Sequence, residues 1–294
     1  MRILLLCLFS LLAACQSHQA AAPPAPIAPQ GRDHTDFGVI RELATGRALT
    51  PQELVEHLAG APRVLVGEQH DNPDHHALQL WLLRELAAQR PQGSLLMEML
   101  NPDQQARVDA AQAASRAGQP PADPYQALAW QANWDWGVYG AVVNYALRQP
   151  YPLLAANLDR SQILQIYQQR PTLSGEASTT PQVQATLLDD IRGSHCGLLP
   201  EALLPAMLAV QQQRDRRMAE RLLAAPTPAL LLAGAFHVRK DLGVPLHLKD
   251  LGAAQGNVVL VLAEAGKTVS AENADYVWYT AAQPEQDHCA QLRQ

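Results

Sequence analysis

The stretch Arg63-Val64-Leu65-Val66-Gly67-Glu68-Gln69-His70-Asp71-Asn72 decides how the chain reads. Arg63 to Gly67 is a short apolar run of the kind that forms a strand buried on both faces. Polar and ionisable side chains come directly after it. Asn72-Pro73-Asp74 then opens a helix with proline at its first position, and Leu78, Trp81, Leu82 and Leu86 recur at helical spacing. Upstream, Thr50-Pro51-Gln52-Glu53 is a capping box, which predicts a helix ending near Gly60. Downstream the alternation repeats. Ser94 to Met97, Pro152 to Ala156, Ala229 to Ala233 and Val258 to Ala263 are further apolar runs, and Tyr276 to Thr280 is a sixth, expected near an edge. Residues 102–117, 123–149 and 159–225 carry mostly helical patterns. Such alternation predicts an α/β fold, a mostly parallel sheet flanked by helices, with a smaller helical subdomain.

Ligands of such sheets bind beyond the carboxyl ends of the strands, so the residues just C-terminal to each apolar run are the ones to read. Glu68, Gln69, His70 and Asp71 stand after the first, Glu98 after the second and Asn157 after the third; His237, Arg239 and Lys240 stand after the run that begins at Ala229. Any one of these is an ordinary loop start. Together, two Glu and two His predict a shared site.

The 294 residues are 48% hydrophobic and 17% charged, which excludes a disordered chain. The formal net charge of -6 argues against a nucleic-acid partner, which would call for a basic face. No apolar run beyond the N-terminus approaches the roughly 18 residues of a membrane span. At the N-terminus, Met1-Arg2 precedes an apolar stretch, Ile3 to Leu12, too short to cross a bilayer. It ends in Leu12-Ala13-Ala14-Cys15, which resembles the lipobox of bacterial lipoproteins. That resemblance implies a signal peptide over residues 1–14 and a lipid anchor, palmitate included, on Cys15. Gln16 stands where aspartate would retain such a protein in the inner membrane, so the outer membrane is expected. Residues 16–30 are rich in Ala and Pro and read as an extended tether, so that residues 15–35 link the anchor to a domain over 36–294. With Cys7 cleaved and Cys15 acylated, Cys196 and Cys289 remain, and in an oxidising compartment they are expected to pair. One pair is too sparse for a zinc or iron–sulfur site.

Gly67-Glu68-Gln69-His70-Asp71-Asn72 with His75-His76 resembles the ChaN-like haem-binding lipoproteins. So do Trp134-Asp135-Trp136 with Tyr139, His195-Cys196-Gly197 with Pro200-Glu201, Gln213-Arg214-Asp215 with Met218-Ala219, and Gly234 to Pro245. The likeness spans residues 37–290 with the motifs in order. It implies an α/β protein of haem and iron acquisition, a homodimer holding haem between subunits, tyrosine on the iron and histidine at the propionates. Components of a haem-uptake receptor are the implied partners. One departure stands out: Gly234-Ala235-Phe236-His237 places a bulky Phe236 where the family has a small residue. The first motif is also similar to those of erythromycin-esterase-like and Tiki-type proteins, which are hydrolases.

Haem requires an apolar slot, groups for two carboxylates and an axial ligand. Six of the 15 aromatic residues fall between Trp130 and Tyr151, where a flat ligand would find stacking partners. Tyr139 is the expected iron ligand, with Tyr145 and Tyr151 as competitors that no spacing rule removes. His75, His76, His195 and His237 are candidates for propionates or a second axial position, and Arg239 and Lys240 for neutralising charge. The competing reading is enzymatic: Glu68, His70, Glu98 and His237 would form a metal-assisted or general-base hydrolase site. No HExxH, nucleophile elbow or Walker loop is present, and haem binding is the favoured expectation.

Overall fold

A computed structural model of the chain describes residues 19–287 and 289–290. The signal peptide and the lipobox with Cys15 lie outside the described residues. The strands are β1 (Ile40–Glu42), β2 (Ala48–Leu49), β3 (Arg63–Glu68), β4 (Ser94–Met97), β5 (Leu153–Ala155), β6 (Ala229–Gly234), β7 (Asn257–Glu264) and β8 (Tyr276–Thr280). The helices are α1 (Pro51–Ala59), α2 (Pro73–Gln89), α3 (Gln105–Arg116), α4 (Pro124–Ala127), α5 (Trp136–Leu147), α6 (Arg160–Gln169), α7 (Pro181–Ser194), α8 (Leu204–Ala224), α9 (Ala235–Val238) and α10 (Val244–Asp250).

All strands join one sheet in the order β2-β1-β8-β7-β3-β6-β4-β5. The segment from β8 to β5 is parallel throughout, and the β1–β2 hairpin adds antiparallel strands beside β8. The fold is therefore the expected α/β arrangement. Tyr276 to Thr280 ends the parallel segment and lies near the edge, as expected, with only the short β1–β2 hairpin beyond it. Strands of three and two residues carry too little periodicity to be read from sequence.

Side-chain alternation sorts the core into two layers. Val64, Val66, Leu95, Met97, Leu230 and Leu232 pack with α1, α2, α3 and α5. Leu65, Leu96, Leu231, Ala233, Val259 and Val261 pack with α8 and α10 on the opposite face. Thr50 caps α1 in a full capping box, and Asn72 caps α2 through Asp74 N–H, as the sequence predicts. A separate small cluster of Val183, Leu187 and Leu242 holds α7 against the body, forming the smaller helical part. Cys196 and Cys289 are bonded, with Cα atoms 5.6 Å apart, which ties the C-terminal segment to the end of α7.

Residues from Ala20 onward are extended but not free. Ala21 N–H donates to Glu85 at 3.1 Å, Trp81 Nε1 donates to Ala21 O at 3.0 Å, and Ile27 and Ala28 N–H both donate to Asp74 Oδ1. Of the tether expected over 15–35, the stretch from Ala21 to Ala28 is thus a strap docked on α2. Composition missed this because the partners are backbone amides, which every residue but proline supplies.

Candidate functional site

The site lies beyond the carboxyl ends of β3, β4 and β6. It sits where the chain leaves β3 towards β4 and leaves β6 in the other direction towards β7, the crevice that such sheets offer to ligands. Glu68, the last residue of β3, continues the alternation of Val64 and Val66 and enters the α2–α5 layer. Glu98, just past β4, continues the alternation of Leu96 and enters the α8 layer. The two buried carboxylates therefore anchor separate networks on opposite faces of the sheet end.

Around Glu68, Tyr139 OH donates at 2.5 Å to Oε1, His70 Nδ1 lies 3.0 Å from the same oxygen, and Gln79 Nε2 donates to Oε2. His76 Nδ1 is 3.2 Å from Oε2, while its Nε2 donates to His70 O at 2.9 Å. Burial alone would raise the Glu68 pKa, but the His70 and His76 imidazoles outweigh it and hold the carboxyl well below the usual range. Because a carboxylate only accepts, His70 Nδ1 carries the hydrogen. Nε2 is then the nitrogen with a lone pair, on a side chain 42% exposed. Burial lowers the His70 pKa, yet Glu68 and Glu98 raise it further, so the ring holds a proton more firmly than free imidazole.

Around Glu98, Gly234 N–H donates at 2.8 Å, His237 Nε2 lies at 3.3 Å and Arg214 at 3.7 Å. His237 Nδ1 sits 2.5 Å from Asp215. Burial opposes charge on this ring, but the carboxylates on either side push its pKa up to about 10. It is an imidazolium with both nitrogens committed. Glu98, burial notwithstanding, is held down at about 2 by His237 and His70. The absence of a side chain at Gly234 brings the two networks together: a Cβ there would lie 2.8 Å from His70 Nε2 and 3.6 Å from Glu98.

A cleft of about 640 Å³ opens over this junction. Its walls include Leu242, Val261, Val269 and Phe236, whose ring is 61% exposed, and Glu68, His70, Gly234 and His237 lie at its base. Arg239 and Lys267 are its cations. Arg239 is already paired with Asp241 at 2.6 and 3.0 Å. Lys267 makes no ion pair among the described residues.

The structure thus brings Glu68, His70, Glu98 and His237 together, with Arg239 on the rim. It places other expected residues differently. Tyr139 is 1% exposed and does not line the cleft; burial, then the Glu68 charge, drive its phenol far above the ordinary value, against the phenolate an iron ligand would need. His75 is fully buried, accepting from Gln69 N–H at 2.8 Å and bonded to Thr280 at 2.9 Å, so neither nitrogen is free. His76 is buried beside Glu68. His195 caps α7, with Nδ1 2.8 Å from Ile191 O, outside the cleft lining. Lys240 pairs with Asp275 at 2.6 Å. Tyr145 and Tyr151 do not line the cleft either. Sequence reasoning gives no site role to Gln79, Asp215 or Lys267. Lys267 stands just past β7, so reading the residues C-terminal to the fifth apolar run, as for the first four, finds it.

A parallel sheet with two buried carboxylate–imidazole networks and an apolar cleft over them is the class of site this fold defines. Residues 54–248 match the family described as haem-binding uptake, Tiki superfamily, ChaN. The chain is 32% identical to ChaN of Campylobacter jejuni, whose structure shows cofacial haem binding; the match covers 84% of this chain and 98% of that one, with a TM-score of 0.76. The chain belongs to the ChaN family of haem-binding proteins. More distant likenesses are to a mutant of the erythromycin esterase EreC in its open conformation (14% identity, 86% of each chain, TM-score 0.46) and to a succinoglycan biosynthesis protein (12% identity, 72% of this chain and 68% of that one, TM-score 0.45). No curated protein matches the chain.

Proposed function

We propose that this chain is an outer-membrane lipoprotein, anchored through Cys15, that binds haem in the cleft and serves haem or iron uptake or storage. The observation that carries the reading is the coincidence, in one cleft of about 640 Å³, of apolar walls, an exposed phenyl ring, an imidazole with a free nitrogen and an uncommitted ammonium. Those are the groups haem requires, and the volume suits a ligand of its size. His70 Nε2 is the iron ligand this arrangement supports, because Glu68 fixes Nδ1 in the manner of a carboxylate orienting a metal-bound histidine. Lys267 provides positive charge for the propionates, whereas His237 is already matched by Glu98 and Asp215. Haem is held rather than altered. A cleft open to solvent, with exposed Phe236 in its wall, suits closure by a second copy of the chain, and a haem-uptake receptor component is the expected partner for delivery.

Titration of the chain lacking residues 1–15 with haemin tests this reading. A saturable Soret band is expected; a flat, non-saturating response overturns it. Sedimentation with and without haemin reads the dimer, and the mass of membrane-extracted protein reads acylation. A hydrolytic alternative is favoured by one observation, the convergence of Glu68, His70, Glu98 and His237 at Gly234. The same four residues suit either metal-assisted or acid–base hydrolysis. Ester turnover lost in His70→Ala, without haemin binding by the parent chain, would favour it.

A further inference from the structure

We propose that the Cys196–Cys289 bond is a latch on the cleft: it fastens the end of α7, one wall of the cleft, to the wall opposite and so retains the ligand between them. The retention of haem rests on haem binding in the cleft; the latch on α7 does not.

One face of α7 lines the cleft. Leu187, Asp190, Ile191 and Ser194 follow one another at helical spacing, and all belong to the cleft wall. The helix is held unequally along its length. Just before it begins, Asp250 accepts from the N–H groups of Glu176, Ala177 and Ser178 and from the Ser178 hydroxyl. In its first half, Val183 and Leu187 pack with Leu242 in a cluster separate from the two main cores. Past Leu187 the bonds are local. Ser194 Oγ and His195 Nδ1 turn back to Ile191 O, and Arg192 pairs on the surface with Asp189 and Glu201. The Asp190 carboxylate makes no hydrogen bond or ion pair among the described residues, because Arg239, whose charge it feels, is paired with Asp241.

The opposite wall is the end of the sheet, Val261 to Glu264 of β7 with Lys267 to Val269 beyond it. The C-terminal segment starts from that wall. Ala282 pairs with Gln30, and Gln283 N–H donates at 2.8 Å to Glu264. From Pro284 to Asp287 the segment is exposed and makes no hydrogen bond to the rest of the fold among the described residues. Its next attachment is the bond from Cys289 to Cys196, just past the end of α7. The segment is thus fastened to one wall at Glu264 and to the other at Cys196, and from Gln283 to Cys289 the backbone spans at most about 20 Å. With its start pinned at Asp250 and its cleft face unfilled, α7 can pivot outward at its far end, and this short tie limits the movement. Haem seated between α7 and the end of β7 is retained by apolar contact with both walls, and an outward pivot removes one of them.

The test compares three forms of the full chain, purified in detergent: the parent, Cys196→Ser with Cys289→Ser, and a form that keeps the disulfide but carries a long Gly/Ser insertion between Gln286 and Asp287. The insertion slackens the tie and leaves the cross-link, whose stabilising effect changes only slowly with loop length. Hydroxyl-radical footprinting without haemin reads the position of α7. Oxidation of Leu187 and Ile191, both buried in the parent, should rise several-fold in both altered forms, while Val183 near the pinned end stays unchanged. Haemin should pass to apomyoglobin several-fold faster from both altered forms, since lost contacts show in dissociation more than in association. Unchanged oxidation in both altered forms overturns the latch, whether or not haemin binds. A rise in the double-serine form alone also overturns it, because the bond then acts through stability. Should the double-serine form fail to fold, the slackened form decides. Raised oxidation in both forms with haemin released at the parent rate overturns retention. Raised oxidation in both forms of a chain whose parent binds no haemin supports the latch and overturns the haem reading.

Discussion

Replacing Tyr139 by Phe separates two roles for the same ring. In one, its phenolate binds iron. In the other, which the geometry supports, its hydroxyl donates 2.5 Å to the buried Glu68 carboxylate and has no part in ligation. The substitution removes one oxygen and leaves the ring packed between Trp130, Trp134 and His76. A hydrogen bond to a charged acceptor contributes about 1.5–3 kcal/mol. Glu68 keeps Gln79 and the His70 and His76 imidazoles, so it is not left unpaired, and the loss should lie near the lower end, about 2 kcal/mol. Urea unfolding should show that loss as a lower midpoint with an unchanged slope. The haemin complex of Tyr139→Phe should keep the Soret position of the parent chain, whereas His70→Ala should lose or shift it. A displaced Soret band in Tyr139→Phe, with His70→Ala unaffected, would refute the reasoning and return the iron to the phenol.

Haemin affinity should weaken as pH falls, beginning above the ordinary imidazole range, since Glu68 and Glu98 raise the His70 pKa and a proton competes for Nε2; a flat affinity profile from alkaline to acid pH would contradict this. Stability should drop in acid. Burial lowers the His75 pKa to about 3, so below pH 6.5 the unfolded chain takes up a proton that the folded chain refuses, a loss of roughly 4 kcal/mol by pH 3 that denaturant titration can follow. His237 works in the opposite direction: its contribution is complete below about pH 6.5 and is lost as pH rises through about 10, and Asp215→Ala, which removes one partner of this buried pair, should cost about 3 kcal/mol. Gly234→Ala should weaken haemin binding more than it lowers the unfolding midpoint, because the new methyl group meets His70 Nε2 at 2.8 Å.

Much of the architecture is legible in the residues. Each strand of the parallel segment is a short apolar run, buried on both faces, and the helices between them announce their starts through Thr50 and Asn72. The hairpin β1–β2 is not legible, because its strands bury little and owe their conformation to pairing with β8. The residues of the site are legible by position, since Glu68, His70, Glu98 and His237 each stand at or just past the end of a strand. Their roles are not. His75 and His76 are adjacent in sequence, yet one is sealed between Gln69 and Thr280 while the other faces Glu68.

What the sequence by itself determined is therefore local: strand and helix order, caps, and which ionisable groups stand at strand ends. Periodicity, capping and position relative to an apolar run are properties of neighbours in the chain. Only the tertiary structure decided which of those groups meet. The direction of alternation sends Glu68 and Glu98 to opposite faces, Gly234 lets their networks approach, and packing buries Tyr139 against a carboxylate instead of exposing it to the cleft. It also turned an Ala/Pro-rich segment into a strap, because backbone amides find acceptors on α2 that no composition records. Charge state and ligand competence depend on burial and on partners far away in sequence, and those exist only once the chain is folded.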